Sequence, residues 1–207
     1  MPARSKSAIV PVVGVTGSIG SGKSTVSALF GEWGAVVISG DKIGHQVLES
    51  SAIRKKLADV FGRDILESGR IRRALLADRA FSTPEGILAL NRLVHPPLIR
   101  ELNKQVRAAG GRAKARAVVI DAALLVEWGM GKIHWNYLVG VSAPYSVRVQ
   151  RLRSRGLSVA QIRRFSAAQM PWQQKKSYCD FIVKNDATLS ILQQRARLCW
   201  DKVLSSD

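Results

Sequence analysis

A glycine-rich segment at residues 17–24 contains the residue types that bind a phosphate chain. Its sequence, GSIGSGKS, has the G-x-x-x-x-G-K-S pattern; it follows the apolar run Val12–Val15 and precedes residues with a helical pattern. Glycines let successive backbone N–H groups turn toward an anion, and the following helix adds its positive end. The segment predicts a nucleotide-binding loop, whereas the structural alternative is a glycine-rich turn that binds nothing.

The side chains of this loop are suited to phosphoryl chemistry. We expect Lys23 to reach the β- and γ-phosphates of ATP and the Ser24 hydroxyl to bind Mg²⁺. The nucleotide contacts are assigned to the loop and the first helical turn, namely Ser18, Ile19, Gly20, Ser21, Gly22, Lys23, Ser24 and Thr25.

Two carboxylates follow buried strands, at the edge of an α/β sheet where ligands bind. Asp41 comes after the apolar run Ala35–Ile38, where it could accept the proton of an acceptor hydroxyl or simply cap the next helix. Asp121 ends the run Ala117–Asp121, where it could anchor Mg²⁺ or cap the segment that follows. Position alone leaves both pairs of alternatives open.

The elements that position these residues indicate a three-layer α/β fold of the phosphate-loop NTPase and kinase class. Short apolar runs predict a five-stranded parallel sheet, and a final helix over about 189–203 should pack across it. The predicted strands are 9–15, 35–38, 117–121, 137–141 and 181–183. We expect a single kinase domain over 1–207, with a nucleotide-binding core at 9–41 and 117–207.

Residues 42–116 read as an insertion made of helices without strands, and we expect it to bind the acceptor substrate. Apolar residues three and four apart predict its helices over 43–49, 53–61, 72–81, 84–94 and 97–109. Residues 110–114 should form a basic return loop.

Residues 145–175 are the most basic part of the chain and predict an Arg-rich lid. A helix opened by Pro144 carries three arginines at i, i+3 and i+7, which places them on one face: Arg148, Arg151 and Arg155. Gly156 breaks the helix, and the sequence from Ser158 to Gln161 is a capping-box start for a second one. A lid that closes on phosphates would exclude water, although a solvated helical hairpin is the alternative.

The charge balance narrows the class of partner. There are 32 Lys and Arg against 15 Asp and Glu, a net charge of +17, which suits phosphorylated metabolites or nucleic acid. No apolar run approaches the roughly 20 residues of a membrane span, and the first residues do not resemble a signal peptide. Two cysteines outside any metal-ligand spacing fit a reducing cytoplasm.

The layout favours a small-molecule kinase over other phosphate-loop proteins. No N-K-x-D guanine signature is present, and the chain is short for ATPase machinery. One rival is a kinase of nucleoside monophosphates or sugars. A second is a nucleic-acid-binding ATPase, which would show salt-sensitive RNA or DNA binding; we expect no specific nucleic-acid partner.

The chain resembles the dephospho-coenzyme A kinase family over nearly its whole length. The opening VGVTGSIGSGKS is similar to that family's L-T-G-G-I-G-S-G-K-S. Further marks follow in the family's order: Phe61-Gly62, Val94-His95-Pro96, Leu124 to Glu127, Gln150 to Leu152, Gln169-Met170 and Asn185. The resemblance implies ATP-dependent phosphorylation of the ribose 3′-hydroxyl of dephospho-CoA, the last step of coenzyme A synthesis. We expect the protein to be a monomer or a weak oligomer.

The resemblance also implies site residues. Asp41 matches the second acid of the family's D-A-D step and would be the general base, whereas the first acid is Ser39 here, a departure that bears on substrate hydrogen bonding. Catalytic roles are implied for Asp41, Lys23 and Arg151. Arg155 and Asn185 match positions at the triphosphate and the adenine, and the substrate set is His95, Leu124 and Glu127.

Overall fold

The computed structural model describes residues 10–111 and 115–205. The strands within these residues are β1 (Val12–Gly17), β2 (Ala35–Ser39), β3 (Leu66–Glu67), β4 (Arg70–Ile71), β5 (Ala117–Asp121), β6 (Tyr137–Ser142) and β7 (Phe181–Lys184). The α-helices are α1 (Lys23–Glu32), α2 (Gly40–Glu49), α3 (Ser51–Phe61), α4 (Arg73–Ala80), α5 (Pro84–Gly110), α6 (Leu125–Gly129), α7 (Tyr145–Arg153), α8 (Val159–Ala167), α9 (Trp172–Lys175) and α10 (Leu189–Ser205).

A parallel sheet of five strands, counted over the described residues, runs in the order β2-β5-β1-β6-β7. The three central strands β5, β1 and β6 are buried on both faces, as expected for a parallel sheet, whereas the edge strands β2 and β7 expose Val37 and Ile182. Register pairs Ser39 with Asp121, so β2 and β5 end side by side. The predicted three-layer α/β fold with a five-stranded parallel sheet is confirmed.

Helices cover both faces of the sheet. On one face, α1 and α10 pack against β1 and β6 around the fully buried Phe30 and Trp200, whose ring centroids lie 5.0 Å apart. On the other face, Ile43 of α2 and Leu102 of α5 pack against Val118 and Ile120 of β5. The carboxyl end of the central strand β1, which carries the phosphate loop, is therefore held by helices on both faces of the sheet.

The segment between β2 and β5 differs from the prediction in two ways. It contains a small antiparallel hairpin of β3 and β4, so the expectation of helices without strands is wrong. Ser68 and Gly69 make its two-residue turn with positive φ, which is a tight-turn geometry.

The helices predicted over 84–94 and 97–109 form one helix, α5, with Pro96 and Pro97 inside it. Proline removes backbone N–H donors and usually ends a helix. Here the buried face carrying Leu98 and Leu102 packs on the sheet and on α2, and this packing holds the helix together through the prolines.

The residues predicted as a lid form α7, α8 and α9. The capping box of Ser158 and Gln161 is confirmed, with both reciprocal hydrogen bonds present. Gly156, at φ +87°, separates α7 from α8. Because α7 ends at Arg153, Arg155 lies beyond the helix, and the expectation of three arginines on one helical face is wrong.

Several predicted boundaries shift by a few residues. β1 extends to Gly17, α1 begins at Lys23 and α2 begins at Gly40, so Asp41 lies in the first turn of a helix. The predicted strand residue Ile9 and residues 112–114 of the predicted return loop lie outside the described residues. Within the described ranges, none of the helices has the length and apolar character needed to cross a membrane.

Candidate active site

A cavity of about 680 Å³ lies against the phosphate loop at the carboxyl ends of the strands. The whole loop from Ser18 to Thr25 lines one side. Asp41 and His45 of α2, residues of α4 and α5, and Arg155 and Gln169 of the lid segment line the rest. The cavity thus joins the nucleotide-binding loop to the insertion, which is the arrangement that a two-substrate reaction needs.

Lys23 lies between the two predicted carboxylates. Its Nζ is 2.6 Å from Asp121 Oδ1 and 3.9 Å from Asp41 Oδ2. Lys23 and Asp121 are buried, while the Asp41 side chain is 70% exposed and lines the cavity. The buried Lys23 ammonium group therefore has an exposed carboxylate, that of Asp41, on its cavity side. Phosphate oxygens bound in the cavity could form charge-assisted hydrogen bonds with it there.

The structure answers whether Asp41 caps a helix. The N-cap of α2 is Ser39, whose Oγ accepts a hydrogen bond of 3.3 Å from the backbone N–H of Lys42. Gly40 lies so close to the loop after β5 that a Cβ there would be 2.8 Å from the Cβ of Ala122. The Asp41 carboxylate is therefore free of the capping role and turns to the cavity.

Asp121 is not a helix cap either. The N-cap residue of α6 is Leu124, which makes no side-chain capping bond, and Asp121 instead pairs with Lys23. Its carboxylate and the Ser24 hydroxyl are hard oxygen donors of the kind that Mg²⁺ prefers.

Arg151 and Asn185 hold the phosphate loop from behind, outside the cavity lining. Asn185 Nδ2 donates to Ser21 O at 2.8 Å, and Arg151 donates to Asn185 Oδ1 at 3.0 Å. A Cβ at Gly22, where φ is +92°, would lie 2.0 Å from Asn185 Nδ2, so glycine is required for this contact. Arg151 also reaches the carbonyls of Gly20 and Ser21 at 3.5 Å.

The two other arginines predicted for the face of the lid helix, Arg148 and Arg155, lie in different environments. Arg148 contacts the loop carbonyl of Ile19 at 3.3 Å and lies over the Tyr145 ring; burial lowers the pKa of its guanidinium, and Tyr145 acts in the opposite direction. Arg155 instead lines the cavity.

The three residues assigned to the substrate do not share one environment. His95 and Leu124 line the cavity. Burial lowers the pKa of the His95 imidazole, and the charge of Lys132 lowers it further. Glu127 lies outside the cavity lining and forms an ion pair of 2.7 Å with the fully buried Lys175.

The Glu127–Lys175 pair ties together segments from three parts of the chain. Glu127 Oε1 accepts a hydrogen bond of 2.8 Å from the backbone N–H of Met170, and Lys175 Nζ donates to Ala123 O at 2.7 Å. Thr16 Oγ1 donates to the same carbonyl at 3.1 Å. The pair thereby fixes the end of β1, the wall at Ala123 and the segment that carries Gln169.

Helix α8 and the insertion are in contact beside the cavity. Arg164 of α8 pairs with Asp78 of α4 at 2.5 Å, and Phe165 meets Phe81 edge-on with ring centroids 5.8 Å apart. Both phenylalanines line the cavity. These contacts hold α8 against α4 beside the cavity.

Several residues of the cavity wall were not among the predicted site residues, and the polar side chains of His45 and Gln169 are two of them. His45 lies four residues after Asp41 on α2, and this i, i+4 spacing is the signal that could have identified it. Gln169 accepts a hydrogen bond from the N–H of Ile19 at 2.8 Å, a contact across 150 residues of sequence that no local spacing indicates.

Known proteins resemble this chain over most of its length. The family model described as dephospho-CoA kinase matches residues 11–190. A dephospho-CoA kinase of Corynebacterium diphtheriae is 34% identical over 194 residues, covering 92% of this chain and 96% of that protein. One from Dehalococcoides mccartyi is 35% identical over 192 residues, covering 90% and 94%.

Solved structures show the same fold. A Thermus thermophilus protein superposes with a TM-score of 0.76 at 30% identity, covering 94% of this chain and 98% of its own. The family match includes the phosphate loop, both strand-end carboxylates and the lid segment in one continuous stretch. The protein therefore belongs to the dephospho-CoA kinase family.

Proposed function

We propose that this protein transfers the γ-phosphoryl group of ATP to the ribose 3′-hydroxyl of dephospho-CoA, which gives coenzyme A in the last step of its synthesis. The observation that carries the proposal is the approach of Lys23 Nζ to the exposed Asp41 carboxylate, 3.9 Å apart, where the phosphate loop meets the cavity. Family membership supplies the identity of the acceptor. The cavity lies between the phosphate loop, which would bind the donor, and the insertion, which would bind the acceptor.

The transfer follows from the residues that face the cavity. The acceptor hydroxyl oxygen forms a bond to the γ-phosphorus, the bond from that phosphorus to the β–γ bridging oxygen breaks, and ADP leaves. The hydroxyl proton passes to the Asp41 carboxylate. Lys23 draws the β- and γ-phosphates in and offsets the charge that accumulates on the leaving oxygen.

The backbone of the loop binds the donor. Within the described residues, the N–H groups of Gly20, Gly22 and Lys23 bond to no carbonyl, whereas those of Ser21 and Thr25 are used inside the loop and the helix start. Unpaired N–H groups next to the positive end of α1 suit the phosphates of ATP. Arg155 adds a cation from the lid.

Mg²⁺ fits the oxygen donors at this site. Ser24 Oγ and the Asp121 carboxylate would hold it, directly or through water, together with phosphate oxygens. Bound there, the ion would neutralise charge on the phosphates. In the described residues no group of three or more His, Cys, Asp or Glu side chains could hold a metal alone, which agrees with a site that the nucleotide completes.

The remaining assignments divide the chain by task. Residues 42–116 serve as the acceptor-binding subdomain, with His95 and Leu124 on the cavity wall, and residues 145–175 serve as the lid. Glu127 acts on the substrate indirectly, because its carboxylate holds the segment beside the cavity. We place the enzyme in the cytoplasm, where Cys179 and Cys199 stay reduced.

The test is a phosphorylation assay with the purified full chain, ATP and Mg²⁺. We expect dephospho-CoA to be converted to a product identical to coenzyme A by mass spectrometry and chromatography, and nucleoside monophosphates to be left unchanged. Lys23→Met is the inactive control. Efficient phosphorylation of a nucleoside monophosphate, with none of dephospho-CoA, would reject the proposal in favour of another small-molecule kinase.

A further inference from the structure

The side chain of Gln169 is bound to the phosphate loop in one defined orientation. Its Oε1 accepts a hydrogen bond of 2.8 Å from the backbone N–H of Ile19. Because a backbone N–H can only donate, the amide oxygen must face the loop, and the Nε2 group must point elsewhere.

The Nε2 group of Gln169 is a donor without an acceptor. No other residue of the described ranges accepts a hydrogen bond from it. Gln169 is half-buried and lines the cavity beside the loop residues from Ser18 to Lys23. Its free donor therefore belongs to a residue of the cavity wall, next to the loop that would bind the phosphates.

The backbone that carries Gln169 is held firmly. The next residue, Met170, donates its N–H to Glu127 Oε1 at 2.8 Å, and Glu127 pairs with Lys175, which has no exposed surface. Gln169 is thus anchored on one side to the loop and on the other to a buried ion pair. A donor fixed before the substrate arrives is the arrangement that favours a transition state.

Resting on the proposed function, we infer that Gln169 is a further catalytic residue of this site. Its Oε1 keeps the Ile19 end of the loop in shape, and its Nε2 donates a hydrogen bond to an oxygen of the phosphoryl group that is transferred. It takes no proton and forms no covalent bond. The contact strengthens as charge spreads over those oxygens in the transition state.

The substitution Gln169→Glu separates the two ends of the side chain. Glutamate keeps an oxygen for the Ile19 N–H but presents a second acceptor, instead of a donor, to the phosphoryl group. We expect kcat to fall on the order of 10²-fold, as when one such donor is removed from other enzymes. Gln173→Glu makes the same change at an exposed site and should leave kcat unchanged.

Nucleotide affinity provides a second measurement that does not depend on the acceptor. ADP lacks the phosphoryl group that Nε2 contacts, so Gln169→Glu should weaken a non-hydrolysable ATP analogue by about tenfold or more relative to ADP, measured by calorimetry. The glutamate charge by itself repels the analogue more than ADP, so the uncharged variant Gln169→Met is measured beside it. If Gln169 only shapes the loop, Gln169→Met changes the affinities for both nucleotides equally. Equal changes, or an unchanged kcat, would overturn the inference.

A second variant keeps the inference testable if Gln169→Glu misfolds in thermal denaturation. Gln169→Met has a similar length and removes both polar ends, so the ratio of analogue to ADP affinity should still shift toward ADP. A ratio equal to that of the wild type contradicts the role of Nε2. Should dephospho-CoA prove not to be the acceptor while this ratio still shifts, the proposed function fails and the Gln169 contact stands.

Discussion

At the residue scale, Lys23 carries its charge between two carboxylates that differ in exposure. Asp121 is buried at 2.6 Å, and Asp41 is open to the cavity at 3.9 Å. The charge-assisted hydrogen bond to Asp121 fixes the Lys23 ammonium group. Asp41 lies too far away for such a bond, so its carboxylate stays accessible from the cavity. Two acids at two strand ends can thus take different tasks, Asp121 in positioning and Asp41 in proton transfer.

Replacing Asp41 with asparagine tests that division. We expect kcat with dephospho-CoA to fall by about 10²- to 10⁴-fold, since a general base is lost, while the Kd of ATP changes little. Steady-state kinetics and calorimetry measure the two quantities. The thermal midpoint should be unaltered, because the side chain is 70% exposed and Ser39 provides the helix cap. Turnover close to that of the wild type would remove Asp41 from the role of base.

At the element scale, the buried pair of Glu127 and Lys175 connects α6 and α9 with the wall of the cavity. Three of its contacts, to the Met170 N–H, to Ala123 O and between the two side chains, lie between 2.7 and 2.8 Å. Breaking such a pair on one side leaves a charge without compensation in a poorly solvated place.

Lys175→Met should lower the free energy of unfolding by about 3 kcal/mol, because it strands the Glu127 carboxylate. The double variant Lys175→Met with Glu127→Gln removes the stranded charge and keeps an acceptor for the Met170 N–H, so it should recover part of that loss. Urea denaturation of the wild type, both single variants and the double variant gives the interaction energy between the two side chains. Losses that simply add would show that the two side chains act independently.

At the scale of the whole molecule, the net charge of +17 is larger than the few basic side chains of the candidate site can account for. Within residues 10–111 and 115–205, fewer than half of the Lys and Arg side chains form an ion pair with an acidic residue, so the protein carries a large excess of positive charge. ATP and dephospho-CoA are polyanions, and the field of this excess charge raises their rate of encounter.

Salt should therefore act on capture more than on chemistry. Between about 0.05 and 0.3 M potassium chloride, we expect kcat/KM for dephospho-CoA to fall several-fold with kcat nearly constant, because the Debye length shrinks to about 10 Å and below. Initial rates at fixed Mg²⁺ measure this dependence. A kcat/KM that does not respond to salt would mean that the excess charge has no part in substrate capture.

Whole-molecule stability should also respond to pH through His95. Burial and Lys132 lower the pKa of His95 in the folded protein from the ordinary 6.5, so the unfolded chain binds the proton more readily. The neutral imidazole of His95 therefore costs the folded protein no stability above about pH 6.5. As the pH falls below that value, protonation of the unfolded chain lowers the free energy of unfolding. Urea denaturation between pH 5 and 7 should show a smaller slope with pH for His95→Gln than for the wild type. Identical slopes would contradict this contribution.

Local patterns predicted much of the fold and part of the site. The phosphate loop, five apolar strands, the capping box at Ser158 and the acids at two strand ends each depend on a few neighbouring residues. Backbone freedom at glycine, side-chain period and helix capping act over that same short range. The sequence by itself therefore determined the fold class and the family.

Only the tertiary structure decided which residues meet. Asn185 and Arg151 lie behind the loop, Glu127 pairs with Lys175, and Gln169 reaches Ile19 across 150 residues. The single helix through Pro96 and Pro97 likewise depends on packing against α2 and the sheet. Long-range contacts carry no local period or spacing, since the packing of distant segments creates them. The residues of the loop itself predict that it binds phosphate. Only the structure shows that Gln169, Arg151 and Asn185 hold the loop in place.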